Sequence, residues 1–523
     1  MLKILPYTQI TKTLSLAEKV GQLFMPAAFI NDTEEEIKRL EKLIKEQHIG
    51  SLCFFHSRAS AATNFEGKKK IVSNEKSFET LRNLIARYQK AAKYPLLIAI
   101  DAEWGLAMRI ENTPQYPYAI TLGAIPNSSE TLIYEVGKNI AKDCKAAGIH
   151  WNLSPCIDIN NNPNNPVIGY RSFGEDKIQV TQKALAYING TRSEGVLTSI
   201  KHFPGHGDTA TDSHLGLPVI SKTKQELTDN ELYPFRELVL KGVDSVMAGH
   251  LSVPALANGA STSSSLSKDM IQGILRTEMG YDGVVISDAL NMHAVSKNYP
   301  TKGELEWLAF DAGNDVLCFA EHINEGKAAI LKNASETQIE ESFSRIWKLK
   351  EKAFSSGNPD SHLTNPDALN QKIAEQSITL YKGNQVELKE FAKNKFSGLE
   401  IALNTDNRFF KSILKNKKFS ISTNETEIDK NDENILFALF PPQVKPTNNF
   451  GFTAEELASI NRVIKTKNVI LYVFGNPYIL NHINVENAKA VIIVYQHLKS
   501  FQNVAANHFL GNLEAHGKLP ITI

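Results

Sequence analysis

Between Lys201 and Pro218 the chain reads Lys-His-Phe-Pro-Gly-His-Gly-Asp-Thr-Ala-Thr-Asp-Ser-His-Leu-Gly-Leu-Pro, its densest run of groups able to do chemistry. Within it, Asp212-Ser-His214 has i, i+2 spacing, and in an extended loop residues two apart project to the same side. The carboxylate can then accept an imidazole N–H, orient the ring and raise its basicity. A histidine near neutrality can give and take a proton in one cycle. A loop histidine hydrogen-bonded only for structure is the alternative.

Asp288 closes the run Tyr281-Asp-Gly-Val-Val-Ile-Ser-Asp288. A carboxylate directly behind a rigid apolar strand suits a nucleophile, whose line of attack must be held to a fraction of an ångström. A helix N-cap or a salt-bridged acid would use the same residue. Lys201, His202 and Arg171 supply fixed donors, and Asp101 with Arg109 can grip hydroxyls. Sugar rings call for such acceptor–donor sets because each hydroxyl both donates and accepts. Surface ion pairs are the competing use of each.

The elements that must position these groups follow from hydrophobic patterning. Short apolar runs at Leu23–Met25, Ile49–Phe55, Pro95–Ile100, Ile149–Leu153, Val196–Ile200, Asp244–Ala248, Gly283–Ile286 and Asp315–Phe319 read as strands. Amphipathic segments alternate with them: Glu34–Gln47, Ser77–Ala92, Ser129–Ala147, Thr181–Glu194, Gln225–Lys241 and Lys268–Glu278. Repeated strand–helix units predict an α/β fold with a parallel sheet closed into a (β/α)8 TIM-type barrel. Candidate polar groups stand just past most of the strands: His56, Asp101, Asn152, Lys201-His202, His250 and Ser287-Asp288. Barrel active sites are built in that place.

A charged helix over Glu336–Phe354 ends the first region, and Ser355–Asp360 reads as linker. We expect a barrel domain over 1–354, a linker over 355–375 and a smaller αβα sandwich over 376–523. Apolar runs at Leu399–Leu403, Ile435–Phe440, Val469–Phe474 and Val491–Tyr495 supply the sandwich's strands, and the tail Gly517–Ile523 is expected to add an edge strand. At 523 residues the chain exceeds one hydrophobic core, as two domains require.

Lys plus Arg and Asp plus Glu both total 57, which argues against nucleic acid or an anionic membrane as partner. No apolar run approaches the roughly 20 residues that span a bilayer. The N-terminal residues lack the apolar core of a signal peptide, so a cytoplasmic protein is expected, or a periplasmic or exported one if a leader has been removed. Cys53, Cys144, Cys156 and Cys318 are widely spaced and sit in or beside apolar segments, which reads as buried reduced thiols.

Lys201-His-Phe-Pro-Gly-His-Gly-Asp208 followed by Asp212-Ser-His214 resembles the signature of the β-N-acetylglucosaminidases of glycoside hydrolase family 3, the NagZ type. The surroundings of Arg171 and Asp288 are similar to that family's too, and the likeness is strong over residues 14–320. The resemblance implies a retaining exo-β-N-acetylglucosaminidase acting on small carbohydrates, muropeptides of peptidoglycan recycling or chitooligosaccharides. It implies Asp288 as nucleophile and Asp212–His214 as acid/base dyad, with Asp101, Arg109, Arg171, Lys201 and His202 holding the sugar. No cofactor or metal is implied, and a monomer or weak dimer is expected. The sequence departs from the family at Asp101-Ala-Glu-Trp-Gly105, where Asp-Gln-Glu-Gly-Gly is frequent, so the resemblance does not fix the shape of the pocket near Trp104.

The readings that compete are a β-glucosidase or β-xylosidase of the same family, and a GlcNAc phosphorylase, since a histidine that has lost its proton repels an anion less than a carboxylate does. More distant are a metal-dependent hydrolase built on His202, His206, Asp208, Asp212 and His214, and a binding protein with a decayed site.

Overall fold

A single proline decides how the parallel strands close into a ring. The computed structural model describes residues 4–58, 73–209, 216–355, 362–401, 407–429 and 431–523. In it the first expected strand is two short ones, β1 (Phe24–Met25) and β2 (Ala27–Phe29), parted by Pro26. Proline has no N–H to give to a ladder, and the two halves serve different neighbours. β2 pairs with β3 (Ser51–Phe55), while β1 pairs with β9 (Leu317–Cys318). From β3 the parallel sheet runs on through β4 (Leu97–Ile100), β5 (Trp151–Asn152), β6 (Leu197–Phe203), β7 (Ser245–Ala248) and β8 (Val284–Ser287). The Ser287 amide donates to the Val316 carbonyl at 2.9 Å, and a parallel bridge joins Ile286 to Val316. β8 thereby meets β9, and the barrel is complete.

Nearly every strand residue is buried, as a sheet covered on both faces requires. The covering helices obey the 3.6-residue period. Helix Glu34–Gln47 opens on a capping box between Thr33 and Glu36 and buries Ile37, Leu40 and Ile44 on one stripe. The expected helix over Gln225–Lys241 is instead two, Lys224–Asp229 and Tyr233–Leu240. Pro234 lies in the first turn of the second, where its missing N–H costs nothing, and a continuous helix would have needed that donor. Helix Glu336–Phe354 is present as expected.

The described chain falls into two compact units. One comprises Met1–Gln115, Tyr134–Ile159 and Val180–Thr364 and holds the barrel; the other comprises Tyr116–Ile133, Asn160–Gln179 and Asn365–Ile523. The two early segments group with the C-terminal residues because their partners lie there. Gln496 donates to Thr121 Oγ1 at 3.2 Å, the Lys518 amide to the Ala124 carbonyl at 3.0 Å, and Asn160 to the Tyr478 hydroxyl at 2.8 Å.

The second unit is built on a mixed sheet of six strands: β10 (Thr379–Lys382), β11 (Ser397–Ile401), β12 (Ile421–Ser422), β13 (Asn434–Leu439), β14 (Asn468–Val473) and β15 (Ala490–Ile493). Their order is β10-β15-β14-β13-β11-β12, and only β10 runs antiparallel to its neighbour. The two edges are β10 and β12, so the tail does not supply the edge strand expected of it. The tail binds instead through isolated bonds, Gly517 N to Ile378 O and Glu175 N to Pro520 O, without strand structure; Pro520 could offer no ladder donor. The linker expected over Ser355–Asp360 lies almost wholly outside the described residues. No helix among the described residues is long and apolar enough to cross a membrane.

Candidate active site at the strand ends

Asp101 follows β4 directly and is the centre of an ion-paired cluster. Its Oδ1 accepts from Lys201 Nζ at 2.8 Å and its Oδ2 from Arg109 Nη2 at 2.9 Å. Lys201 also reaches Glu103 Oε1 at 2.8 Å, and the Arg109 guanidinium lies over the Phe55 ring, 5.4 Å from its centre. Burial works to raise the Asp101 carboxyl, but the charges of Lys201 and Arg109 overcome it and hold the group well below the usual carboxylate range. The Asp101 carboxyl is therefore ionised at neutral pH. A carboxylate offers about four acceptor positions; Lys201 and Arg109 fill one on each oxygen, so both keep a lone pair for another donor.

Lys201 and His202 were expected just past the fifth strand, at Ile200. The strand in fact continues to Phe203, and its register against β7 shifts between Ile200 and Phe203. A bulge of this kind re-aims side chains without ending the strand. Both residues turn toward the β4–β5 side: Lys201 to Asp101, and His202 Nδ1 to Asp158 Oδ2 at 2.7 Å. Asp158 is fully buried and also accepts from the backbone amides of His202 and His206 and from the Cys156 thiol. Burial would raise its pKa; the paired His202, together with His206, lowers it below the ordinary range.

Asp288 directly follows β8. Its amide donates to Ala248 O at 2.8 Å, tying it to the end of β7, and its Oδ1 accepts from the Ala289 amide at 2.7 Å. His250, also buried, bonds Ala289 O and Ser265 Oγ through its two ring nitrogens. Asp288 and Asp101 share one end of the barrel with Cys318. That thiol is held far above its usual pKa by its hydrogen bond with the Cys53 thiol, by burial, and by the charges of Cys53, Asp288 and Asp101.

The structure thus joins Asp101, Arg109 and Lys201 directly, fixes His202 beside them, and puts Asp288 on the same rim. Arg171 belongs to the second compact unit, half-buried in the turn Gly169–Arg171, where its Nη1 donates to Val167 O at 3.3 Å. Asp212 and His214 lie outside the described residues. Of the other strand-end residues, His56 pairs with Glu111 at 2.6 Å, and Asn152 bonds both the amide and the carbonyl of Ala102, bracing the segment after Asp101.

Two further residues matter that sequence reasoning did not single out. Glu103, two positions after Asp101, is the second anchor of Lys201. Asp158 lies six residues beyond the very short β5, too far for a rule that looks just past strands. Among the described residues, the group that gathers metal-ligating atoms is Cys156, Asp158 and His202. His206 and Asp208, from the alternative metal set, bond elsewhere: His206 Nδ1 to Thr209 Oγ1 at 2.9 Å, and Asp208 to Lys222 at 2.8 Å. All four cysteines are free and buried, as expected from their settings.

A closed parallel barrel with a charged, hydrogen-bonding cluster at the C-terminal ends of its strands is the design of a barrel enzyme. The model of the glycosyl hydrolase family 3 N-terminal domain matches residues 15–349, so the chain belongs to glycosyl hydrolase family 3. β-Hexosaminidase A of Pseudoalteromonas piscicida is 32% identical over 381 residues, which cover 66% of this chain and 62% of that protein. A β-hexosaminidase of Tolumonas auensis is 34% identical over 255 residues, 48% of this chain and 74% of the relative. Among solved structures, a family 3 β-N-acetylglucosaminidase from Paenibacillus superposes with a TM-score of 0.79 at 27% identity, over 98% of this chain and 99% of that one. A β-glucoside phosphorylase gives 0.81 at 23% identity, over 99% and 97%, a likeness of fold.

Proposed function

We propose that the chain is a retaining exo-β-N-acetylglucosaminidase that releases terminal GlcNAc from small soluble carbohydrates, either muropeptides of peptidoglycan recycling or chitooligosaccharides. The observation that carries this reading is the pairing, on one barrel rim, of a strand-end carboxylate, Asp288, with the charged cluster of Asp101, Arg109 and Lys201. The hexosaminidase names of its relatives point the same way. The four buried free thiols are in keeping with a reducing, cytoplasmic setting.

In this mechanism Asp288 attacks the anomeric carbon as the bond to the leaving oxygen breaks, through an oxocarbenium-like transition state, and a covalent glycosyl–Asp288 ester forms. His214, oriented by Asp212, gives its proton to the departing oxygen. Water then enters, His214 takes its proton, and the ester opens with overall retention. Asp101, Lys201, Arg109 and His202 hold the sugar hydroxyls. Asp101 suits the task because each of its oxygens has an acceptor position left to use. None of these steps calls for a cofactor or a metal.

The test is product analysis on GlcNAc-anhydromuramyl peptide and chitobiose, with and without added phosphate. Release of β-configured GlcNAc from either supports the reading, and the faster of the two names the substrate class. α-Configured GlcNAc would overturn retention, GlcNAc 1-phosphate would make the enzyme a phosphorylase, and exclusive cleavage of glucosides or xylosides would reassign it within the family.

A further inference from the structure

Beside the sugar-holding cluster one thiol, one carboxylate and one imidazole converge. Ligand atoms of Cys156, Asp158 and His202 all lie within 4.8 Å of one another. The Cys156 thiol donates to Asp158 Oδ2 at 3.1 Å, and His202 Nδ1 meets the same oxygen at 2.7 Å. All three residues are buried; His202 keeps 7% side-chain exposure, which makes the imidazole the way in. Backbone pairing fixes the convergence. Cys156 bridges Lys201 in parallel register, and Ile157 N donates to Lys201 O at 2.8 Å. In extended chain, residues two apart project to the same side, so Cys156 and Asp158 share a face that His202 meets from the neighbouring strand. The His202 and His206 amides hold Asp158 Oδ1 at 3.1 and 2.6 Å, and Oδ2 is the oxygen turned to the thiol and the ring. Ligands carried on a sheet are placed more precisely than ligands on loops.

The donor set selects a class of ion. Thiolate and imidazole favour zinc and its thiophilic relatives over magnesium or calcium. Tetrahedral zinc at its usual bond lengths sets neighbouring ligand atoms about 3.4–3.6 Å apart. The separations of 2.7 and 3.1 Å to Asp158 Oδ2 need to open by less than about 1 Å to reach that. On binding, the thiol proton leaves to solvent, and the imidazole ends neutral with Nδ1 on the ion and its proton on Nε2. Thiolate and carboxylate then set two negative charges against the ion's two positive ones, so no net charge is buried. Water fills the fourth position.

We infer that Cys156, Asp158 and His202 form a site for a thiophilic divalent cation of the zinc class, and that its occupation inhibits the enzyme. The inhibition rests on the role proposed for His202: the ion draws the ring away from Asp158, and a 1 Å misplacement of a positioned group can cost about 10²-fold. The binding stands without that role.

The experiment titrates the full-length protein and its Cys156→Val variant with cadmium, a zinc surrogate whose bond to thiolate absorbs in the ultraviolet. Turnover of an aryl β-GlcNAc is then followed with zinc and after a chelator. The parent is expected to show one equivalent of cadmium–thiolate absorbance. Cys156→Val should lose that band and bind at least about 10–100-fold more weakly. Saturating zinc should slow the parent by about 10-fold or more, reversibly by chelator, and leave Cys156→Val within about twofold of its own metal-free rate. No band in the parent, or an equal band in the variant, would overturn the site. Binding without inhibition, or equal inhibition of both proteins, would overturn the link to His202. A parent that shows the band and cleaves no glycoside would support the site and sink the enzyme reading. Should Cys156→Val not fold, X-ray absorption at the zinc edge of the loaded parent must show a sulfur neighbour at about 2.3 Å, and its absence would overturn the site.

Discussion

The two ends of the barrel both bury carboxylates, and they treat them differently. At the N-terminal end, Asp315 precedes β9 and is completely enclosed. Its Oδ1 accepts from Ser342 and Arg345 at 2.8 and 3.0 Å, and its Oδ2 from Arg276 and the Val285 amide at 2.6 and 2.9 Å. All four acceptor positions are filled by protein. At the C-terminal end, Asp101 has a side chain 15% exposed and only two positions filled. A saturated carboxylate holds elements together and has nothing to offer a ligand. A half-saturated one, kept ionised by Lys201 and Arg109, is ready for a hydroxyl. A cavity of about 430 Å³ does open at the N-terminal end, lined by Asp244, Asp282, Arg345 and Lys352. Most of its charges are already spent on ion pairs, Asp244 with Lys352, Glu340 with Lys19, and Arg345 with Asp315, Asp282 and Glu341. Concavity alone does not mark a site; unspent hydrogen-bonding capacity is the better guide.

Substitutions at the two ends should therefore fail in opposite ways. The largest effect is expected from Asp288→Ala, which removes the oxygen proposed to attack: turnover of aryl β-GlcNAc should fall by about 10³-fold or more with the thermal midpoint within a degree or two of the parent. Asp101→Asn should lower kcat/KM by about 10²-fold, because the neutral amide can no longer hold Lys201 and Arg109 in place. Asp315→Asn should do the reverse. It leaves Arg276 and Arg345 without their buried partner and is expected to cost about 3–5 kcal/mol in urea unfolding, while kcat per folded molecule stays near the parent's. A loss of activity without loss of stability there would erase the contrast between the ends.

The smallest effect concerns Lys350, also at the N-terminal end and fully buried. Its Nζ donates to Gln22 Oε1 and Pro95 O at 2.6 and 2.7 Å and lies 5.3 Å from the Trp347 ring centre. Burial pushes its pKa down to about 7. Between that value and the 10.5 of an exposed lysine, the unfolded chain binds a proton that the folded chain does not. Stability gains from this group as pH rises through that window and stays at its lowest below pH 7, where both states are protonated. Urea midpoints at pH 7 and pH 9 should show the gain, by roughly 1 kcal/mol per pH unit at most. Lys350→Met should flatten it, and an unchanged slope in that variant would show that the titration lies elsewhere.

Much of this was legible in the residues themselves. The barrel strands are short apolar runs, so every expected one is present within a few residues. What the sequence hid were choices made by distant partners. Pro26 looked like the end of a strand, yet it splits one strand between two neighbours. Pro234 looked compatible with one long helix and instead starts a second. The bulge in β6 depends on its register against β7, which no local pattern records, although it decides where Lys201 and His202 point. Tyr116–Ile133 and Asn160–Gln179 join the second unit through bonds to residues some 300 positions away, such as Asn160 to Tyr478. Asp158 and Glu103 escaped because neither is exceptional until its partner, His202 or Lys201, is seen beside it.

The central claim, that Asp288 is the group that attacks, has one direct measurement. The full-length enzyme is incubated with a fluorinated GlcNAc donor that forms the glycosyl-enzyme quickly and hydrolyses slowly, then digested and mapped by mass spectrometry. The account predicts a single sugar adduct on the peptide containing Asp288, absent when Asp288 is replaced by Ala. An adduct on another carboxylate, or steady turnover of an unfluorinated glycoside by the Asp288→Ala variant, would contradict it.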